Sequence, residues 1–321
     1  MNKASRQNQK SEVRSQRSDL RPPTTGLRSP TLLIVDGHAY AYRAFHAIRQ
    51  LTSPSGAPTN AIYGFIKMLG KMRDWLRPAH LLVAWDGGLA EERTAVLPEY
   101  KAHRPPMPEQ LEAQLDEIIS YLQAANIASY CQEGVEADDW IATVARHASL
   151  AGLKVVIASS DKDFMQLVSP AIGLLNPNDK SETVWTDEQV RARAGVDPSQ
   201  IVDWLSLVGD SVDNIRGVPG VGPKTAAELL RQFRTVAAIY QRLDEVKSER
   251  LRASLQAATE VVRRNQRLIR LRDDLPGDFS PDELVLKRAD QGRLHDLFSR
   301  WGFKTLLKEL EAAPAQQGIL L

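Results

Sequence analysis

The chain has 321 residues, 43% of them apolar and 25% charged, which is enough to bury a substantial core and excludes a wholly disordered chain or a disulfide-stapled miniprotein. No run approaches eighteen consecutive apolar residues and the single cysteine is Cys131, so membrane helices, an internal disulfide framework and a multi-thiolate zinc site are excluded, and any metal is expected on oxygen or histidine ligands. The net charge of +1 hides a segregation: residues 31–213 hold 15 Lys and Arg against 24 Asp and Glu, and residues 214–272 hold 13 against five, as in an anionic-polymer binder whose chemistry concentrates carboxylates.

Residues 1–30 are rich in Ser, Arg, Gln and Pro with little aliphatic content and read as a disordered basic tail. The tail has no apolar run of the secretory kind, and Glu12 and Asp19 speak against an organellar transit peptide, so a soluble, cytoplasmic protein is expected. Thr31–Val35, Leu81–Trp85 and Lys154–Ala158 are predicted strands. Ala61, Ile62, Phe65, Ile66 and Leu69, then Leu111, Leu115, Ile118, Ile119 and Leu122, recur at helical spacing between them. This alternation predicts an α/β fold over residues 31–195, a mainly parallel twisted sheet with helices on both faces. After about residue 190 the strand signals stop, which predicts a smaller all-helical domain over 196–312 and a flexible tail over 313–321.

Each predicted strand leads into an aspartate: Asp36, Asp86 and Asp161. One such Asp is commonly a turn or cap residue, but in an open parallel sheet ligands bind beyond the carboxyl ends of the strands, where three acids would converge. Glu136, Asp138 and Asp139 fall on the first turn of a predicted helix, Glu136 and Asp139 sharing a face and Asp138 pointing elsewhere. Asp163, Asp210 and Asp213 complete a set of nine. Carboxylates gathered this closely raise one another's pKa unless cations intervene, which points to Mg²⁺ or Mn²⁺. Two such ions about 4 Å apart suit in-line displacement at a phosphodiester.

Six runs now carry a family resemblance: Leu33–Gly37, Tyr42–Ala47, Tyr100–Pro108, Gly134–Asp139, Ser160–Asp163 with Gln166–Val168, and Gly209–Ile215 with Gly217–Gly222. Together they resemble the 5′-nuclease domain of bacterial DNA polymerase I and the related flap endonucleases, in order from about residue 31 to 311. The resemblance implies a PIN-like or resolvase-like core and a helical arch over about 87–110. It also implies metal-dependent hydrolysis of branched or flapped DNA, RNA-primed DNA included, near the junction of a 5′ single strand with duplex. Carried over by position, Asp36, Asp86, Glu136 and Asp138 would hold a first metal, with Asp139 adjacent. Asp161, Asp163, Asp210 and Asp213 would serve a second. Some related stand-alone bacterial proteins lack part of that second set, which is complete here. The chain ends where the polymerase portion begins in those relatives, so a monomeric, nucleoid-associated, stand-alone nuclease in primer removal or repair is expected.

By the same resemblance Lys101 and Arg104 sit at the base of the arch and stabilise charge at the scissile phosphate, while Arg43 and Arg93 position phosphates. Tyr100 is a candidate for stacking on an unpaired base. Gly217–Thr225 nearly reads as a phosphate-binding P-loop, but Pro223 separates Gly222 from Lys224 and no apolar strand precedes it. A Gly-rich hairpin between helices fits better, like the family's helix-three-turn-helix element, which grips duplex backbone and in relatives holds K⁺. Arg216, Gly217, Gly220, Gly222, Lys224 and Thr225 are the candidate contacts. The Leu294, Leu297, Phe298 and Trp301 spacing in the segment from Gln291 reads as core packing, whereas Gln316–Leu321 is the better candidate for a sliding-clamp anchor. An RNA-directed nuclease on a related core and a silent binder of branched DNA are the competing functions. A phosphatase is disfavoured because Asp36-Gly-His38 lacks a second Asp two residues on.

Overall fold

A computed structural model describes residues 31–178, 183–277 and 279–312. The three apolar runs form the centre of a six-stranded sheet: β1 (Thr31–Asp36), β2 (His80–Trp85), β3 (Ala128–Cys131), β4 (Lys154–Ala158), β5 (Ile172–Leu175) and β6 (Val184–Trp185). Their order is β3-β2-β1-β4-β5-β6, all parallel except β6, which pairs antiparallel with β5. Leu32 and Ile34 join one buried cluster with Ile141 and Phe164, while Leu33 and Val35 join another with Phe65, Ile118 and Phe298. Helices thus cover both faces, which is why the central strands read as continuous apolar runs.

The chain leaves β1 toward β2 and β3 and then returns to the other side of β1 with β4. The switch point between β1 and β4 opens a crevice beyond the carboxyl ends of the central strands. In the arch region the described chain has one short helix, Glu91–Val96, a turn around residues 97–103 and an irregular run to the helix Glu109–Ala124.

Beyond residue 195 the chain is mainly helical, with helices Ile201–Val208, Pro223–Phe233, Val236–Gln241, Glu249–Ala257 and Thr259–Ile269. One expectation is corrected here: a two-stranded antiparallel ribbon, Gly209–Asp210 with Ile215–Arg216, follows the first of these helices. Two-residue strands carry no apolar periodicity, so sequence patterning passes over them. Glycine is required at the ribbon's base. Gly209 has φ +83°, and a Cβ on Gly217 would meet the Val208 carbonyl at 2.3 Å. The last helices, Gln291–Trp301 and Lys304–Ala312, pack back on the α/β part through Leu294, Phe298, Trp301 and Leu306, with Phe298 stacked on Tyr121. The core-packing spacing in this segment is thereby realised.

Candidate active site

Asp36, at the end of β1, caps the helix Gly37–Ala47 by accepting from Ala39 N–H at 3.0 Å, and its other oxygen accepts from Ser159 Oγ at 2.8 Å. Asp86, just past β2, accepts from Ala137 N–H at 3.0 Å and so ties its strand to the helix Ala137–Leu150. Asp161, three residues past β4, accepts from Asp163 N–H at 2.8 Å. These acids cap helices and turns and also line one open cleft of about 600 Å³ together with Asp138 and Asp210. Ribbon geometry delivers Asp210, while Asp163, Asp210 and Asp213 offer oxygens within 4.8 Å of one another. Asp163 Oδ1 is buried without a hydrogen-bond partner among the described residues.

The electrostatics match that crowding. Burial, reinforced by Asp161 and Asp86, pushes Asp36 up to about 6. Asp138, Asp161 and Asp163 are likewise raised, chiefly by burial and then by neighbouring carboxylates. His38 lines the cleft with its Nδ1 accepting from Asp86 N–H at 3.1 Å, and burial lowers its pKa.

Two of the nine acids face elsewhere. Glu136 and Asp139 do share a helix face, but that face turns inward onto Arg93. Arg93 grips Asp139 with two hydrogen bonds of 2.9 and 2.7 Å, lies 3.3 Å from Glu136, and donates from Nε to the Leu268 carbonyl. Glu136 and Asp139, expected among the metal ligands, and Arg93, expected as a phosphate contact, thus lie against one another here and do not line the cleft. All three are buried and satisfy one another, leaving Asp138 as that helix's contribution to the cleft. Tyr100 is corrected too, because it is 4% exposed with its hydroxyl on Glu136 and Asp213 and offers no free ring face to a base.

Lys101 is buried, its ammonium 2.5 Å from Glu136 Oε2, so it contacts a carboxylate where a phosphate contact was expected. Burial alone would raise Glu136, yet Lys101 and Arg93 hold it below the usual carboxylate range. Arg104 does line the cleft, half-exposed, with one nitrogen 2.6 Å from Asp213. Arg43 lies outside the cleft and donates to Asn178. Lys162 is a cleft residue that the sequence reading passed over. It pairs with Asp210 at 2.6 Å, and its place between Asp161 and Asp163 was the available signal.

In the hairpin, Gly222 caps the helix Pro223–Phe233, and Arg216, Gly220 and Lys224 are exposed, with Thr225 half-buried. Gly217 packs against the Leu207–Val208 backbone. Asn265, unforeseen in the sequence, braces the hairpin by donating to the carbonyls of Ser206 and Arg216.

Residues 31–195 match the 5′-3′ exonuclease N-terminal resolvase-like domain, and residues 196–292 match the C-terminal SAM fold of the same family. The chain belongs to the 5′-3′ exonuclease family. Within that family it is 38% identical over 281 residues to the 5′-3′ exonuclease of Aquifex aeolicus, covering 88% of this chain and 95% of that protein. It is also 38% identical over 288 residues to DNA polymerase I of Bacillus caldotenax, covering 89% of this chain but only 33% of the polymerase. This family member spans about a third of the polymerases it matches. Among solved structures, the fold is shared with T5 5′-exonuclease carrying divalent zinc ions (TM-score 0.63, 23% identity, 88% of this chain and 97% of that chain). The catalytic core of Rad2 in complex with DNA substrate shares it as well (TM-score 0.61, 15% identity, 88% and 93%).

Proposed function

We propose that the chain is a divalent-metal-dependent 5′-nuclease that hydrolyses DNA phosphodiester bonds at or near junctions of a 5′ single strand with duplex. It acts as both 5′-3′ exonuclease and flap endonuclease, in primer removal or repair. The observation that carries this function is the convergence of Asp36, Asp86, Asp138, Asp161 and Asp210 on one open cleft, with Asp163 and Asp213 beside them. An acidic cleft of this density repels a phosphodiester until cations occupy it. The buried, unpartnered Asp163 oxygen and the all-oxygen donor set fit Mg²⁺ or Mn²⁺. Asp36, Asp86 and Asp138 would hold one ion and Asp163, Asp210 and Asp213 the other, with Asp161 between the two groups. Bound there, such ions would supply Lewis acidity to activate water and positive charge to stabilise the leaving oxygen.

The protein's own side chains do the remaining work. Arg104, held by Asp213 and lining the cleft, is placed to receive charge developing on the scissile phosphate. Lys101 and Arg93 neutralise Glu136 and Asp139 beneath the cleft, which keeps the helix Ala137–Leu150 in place to present Asp138. The exposed Arg216 and Lys224, with the hairpin backbone, grip duplex phosphates without reading sequence, and a K⁺ ion at the hairpin would add positive charge there. The protein works as a monomer. A clamp anchor at Gln316–Leu321 and the basic tail of residues 1–30 lie outside the described residues, among which no helix is long and apolar enough to cross a membrane.

The test is cleavage of a 5′-end-labelled DNA flap, with Mg²⁺ and with EDTA, resolved to the nucleotide beside a single-stranded RNA. A Mg²⁺-dependent cut at the DNA junction is expected. Tight binding with no product under Mg²⁺ or Mn²⁺ leaves a silent binder of branched DNA, and preferential cutting of the RNA selects the RNA-directed alternative.

A further inference from the structure

Asp163, Asp210 and Asp213 reach one another from two separate elements. Asp163 sits on the 3₁₀ turn Lys162–Leu167 after β4, whereas Asp210 and Asp213 are carried by the ribbon that follows the helix Ile201–Val208. Lys162 spans the gap to Asp210 at 2.6 Å, but its side chain is partly exposed and makes a yielding link. Two amide side chains join the turn and the ribbon by a longer route, through the helix Thr259–Ile269. Gln166, on the turn that carries Asp163, donates to the Asp163 carbonyl at 2.9 Å and to the Ile269 carbonyl at 3.1 Å, and it accepts from Leu271 N–H at 3.1 Å. Asn265 lies one helical turn before Ile269, about 6 Å along the axis. It is wholly buried and donates to the carbonyls of Ser206 at 3.0 Å and Arg216 at 2.8 Å, where the ribbon begins and ends.

Carbonyls at a helix end need partners in any fold, and an amide that only capped this end would meet that need. Gln166 does more, because the same amide nitrogen also holds the backbone of Asp163. Asp163 Oδ1 is buried without a hydrogen-bond partner among the described residues, so the turn's backbone sets where that oxygen lies. The helix end is fixed from a third side as well, with Asp139 accepting from Arg272 N–H at 2.9 Å. Mg²⁺ demands near-ideal octahedral geometry, and a ligand misplaced by about 0.5 Å loses much of its value. We infer that Gln166 and Asn265 are positioning residues of the second cation site, and that the helical turn between them is the strut that sets the gap between Asp163 and the ribbon's Asp210 and Asp213. Both act through the carboxylates, so the inference rests on the nuclease function proposed above and deepens it.

The experiment is a Mn²⁺ titration of the DNA-free protein, with unbound ion read by electron paramagnetic resonance. Unaltered protein, Gln166→Leu and Asn265→Ala are compared with Asp163→Asn, which marks the second ion, and with Gln200→Leu. Gln200 is a matched control, a buried amide that donates to the Leu230 and Arg234 carbonyls away from the strut. Two ions are expected on the unaltered protein and on Gln200→Leu. In Gln166→Leu the affinity of the ion that Asp163→Asn loses falls about tenfold or more while the other ion binds as before. The Mn²⁺ needed for half-maximal flap cleavage rises in step, at unchanged DNA affinity. Asn265→Ala shows the same selective loss, and the half-buried Gln166 carries the test alone if that variant does not fold. Equal weakening of both ions, unaltered binding in Gln166→Leu or a like loss in Gln200→Leu overturns the strut and leaves the nuclease function standing. An unaltered chain that binds one Mn²⁺ also removes the strut, and one that binds none removes the nuclease function with it.

Discussion

Lys101 occupies the left-handed backbone region, with φ +55°, where a residue with a long side chain is held only by its surroundings. Its N–H donates to the Asp213 carbonyl and its ammonium to Glu136, so one residue pins the arch base to both the ribbon and the helix Ala137–Leu150. Burial would lower its pKa, but Asp138, Glu136 and Asp213 hold it above the ordinary lysine value. Removing the ammonium leaves Glu136, among the described residues, with Arg93 as its remaining cationic partner in a buried site. Lys101→Ala is expected to cost about 3 kcal/mol in urea unfolding and to slow cleavage far more than it weakens flap-DNA binding. Equal losses in cleavage and affinity would make Lys101 a DNA contact. None of this was legible in the sequence, where Lys101, Arg93 and Tyr100 stand among exposed-looking polar residues. A family motif says that residues act together without saying whether they meet the substrate or one another.

At the scale of elements, three strand ends concentrate like charge. A carboxyl whose folded pKa lies above its unfolded value stabilises the fold below the unfolded value, and that contribution is lost as pH rises through the folded value. For Asp36 the window runs from 3.8 to about 6. In EDTA at pH 8, Asp36→Asn should therefore be more stable than the unaltered protein by about 3 kcal/mol, the gap closing toward pH 4. Thermal melts between pH 4 and 8 check this, and a gap independent of pH would contradict it. Saturating Mg²⁺ at pH 8 should reverse the order. The strand ends were legible because β1, β2 and β4 are buried on both faces and read as unbroken apolar runs. β3 was not, since Ala-Ser-Tyr-Cys sits at the sheet edge and is largely exposed, and the four-residue β5 and two-residue β6 fall below the length at which period shows. The shared face of Glu136 and Asp139 was legible from their spacing. Its inward direction was set by Arg93, which comes from a different element.

Across the whole molecule, the charge segregation in the sequence becomes spatial. The acidic half builds the cleft, and the basic segment supplies exposed Arg263 and Arg267 on the helix Thr259–Ile269 and Arg270 just past it, beyond the hairpin's Arg216 and Lys224. Under the proposed function such a track would contribute salt-dependent affinity without base contacts, and the cleft would contribute turnover. Binding and chemistry would then reside in separate parts of the molecule and be separable by mutation. Asp138 is the most direct probe, because it lines the cleft and accepts no hydrogen bond from Arg93 or Lys101. The deciding measurement is cleavage and equilibrium binding of the same flap DNA by Asp138→Ala, with the unaltered chain alongside in Mg²⁺. Loss of cleavage by about a hundredfold or more with flap affinity nearly unchanged is the expected result. Turnover equal to that of the unaltered protein would contradict the claim that this carboxylate cleft is the catalytic metal site.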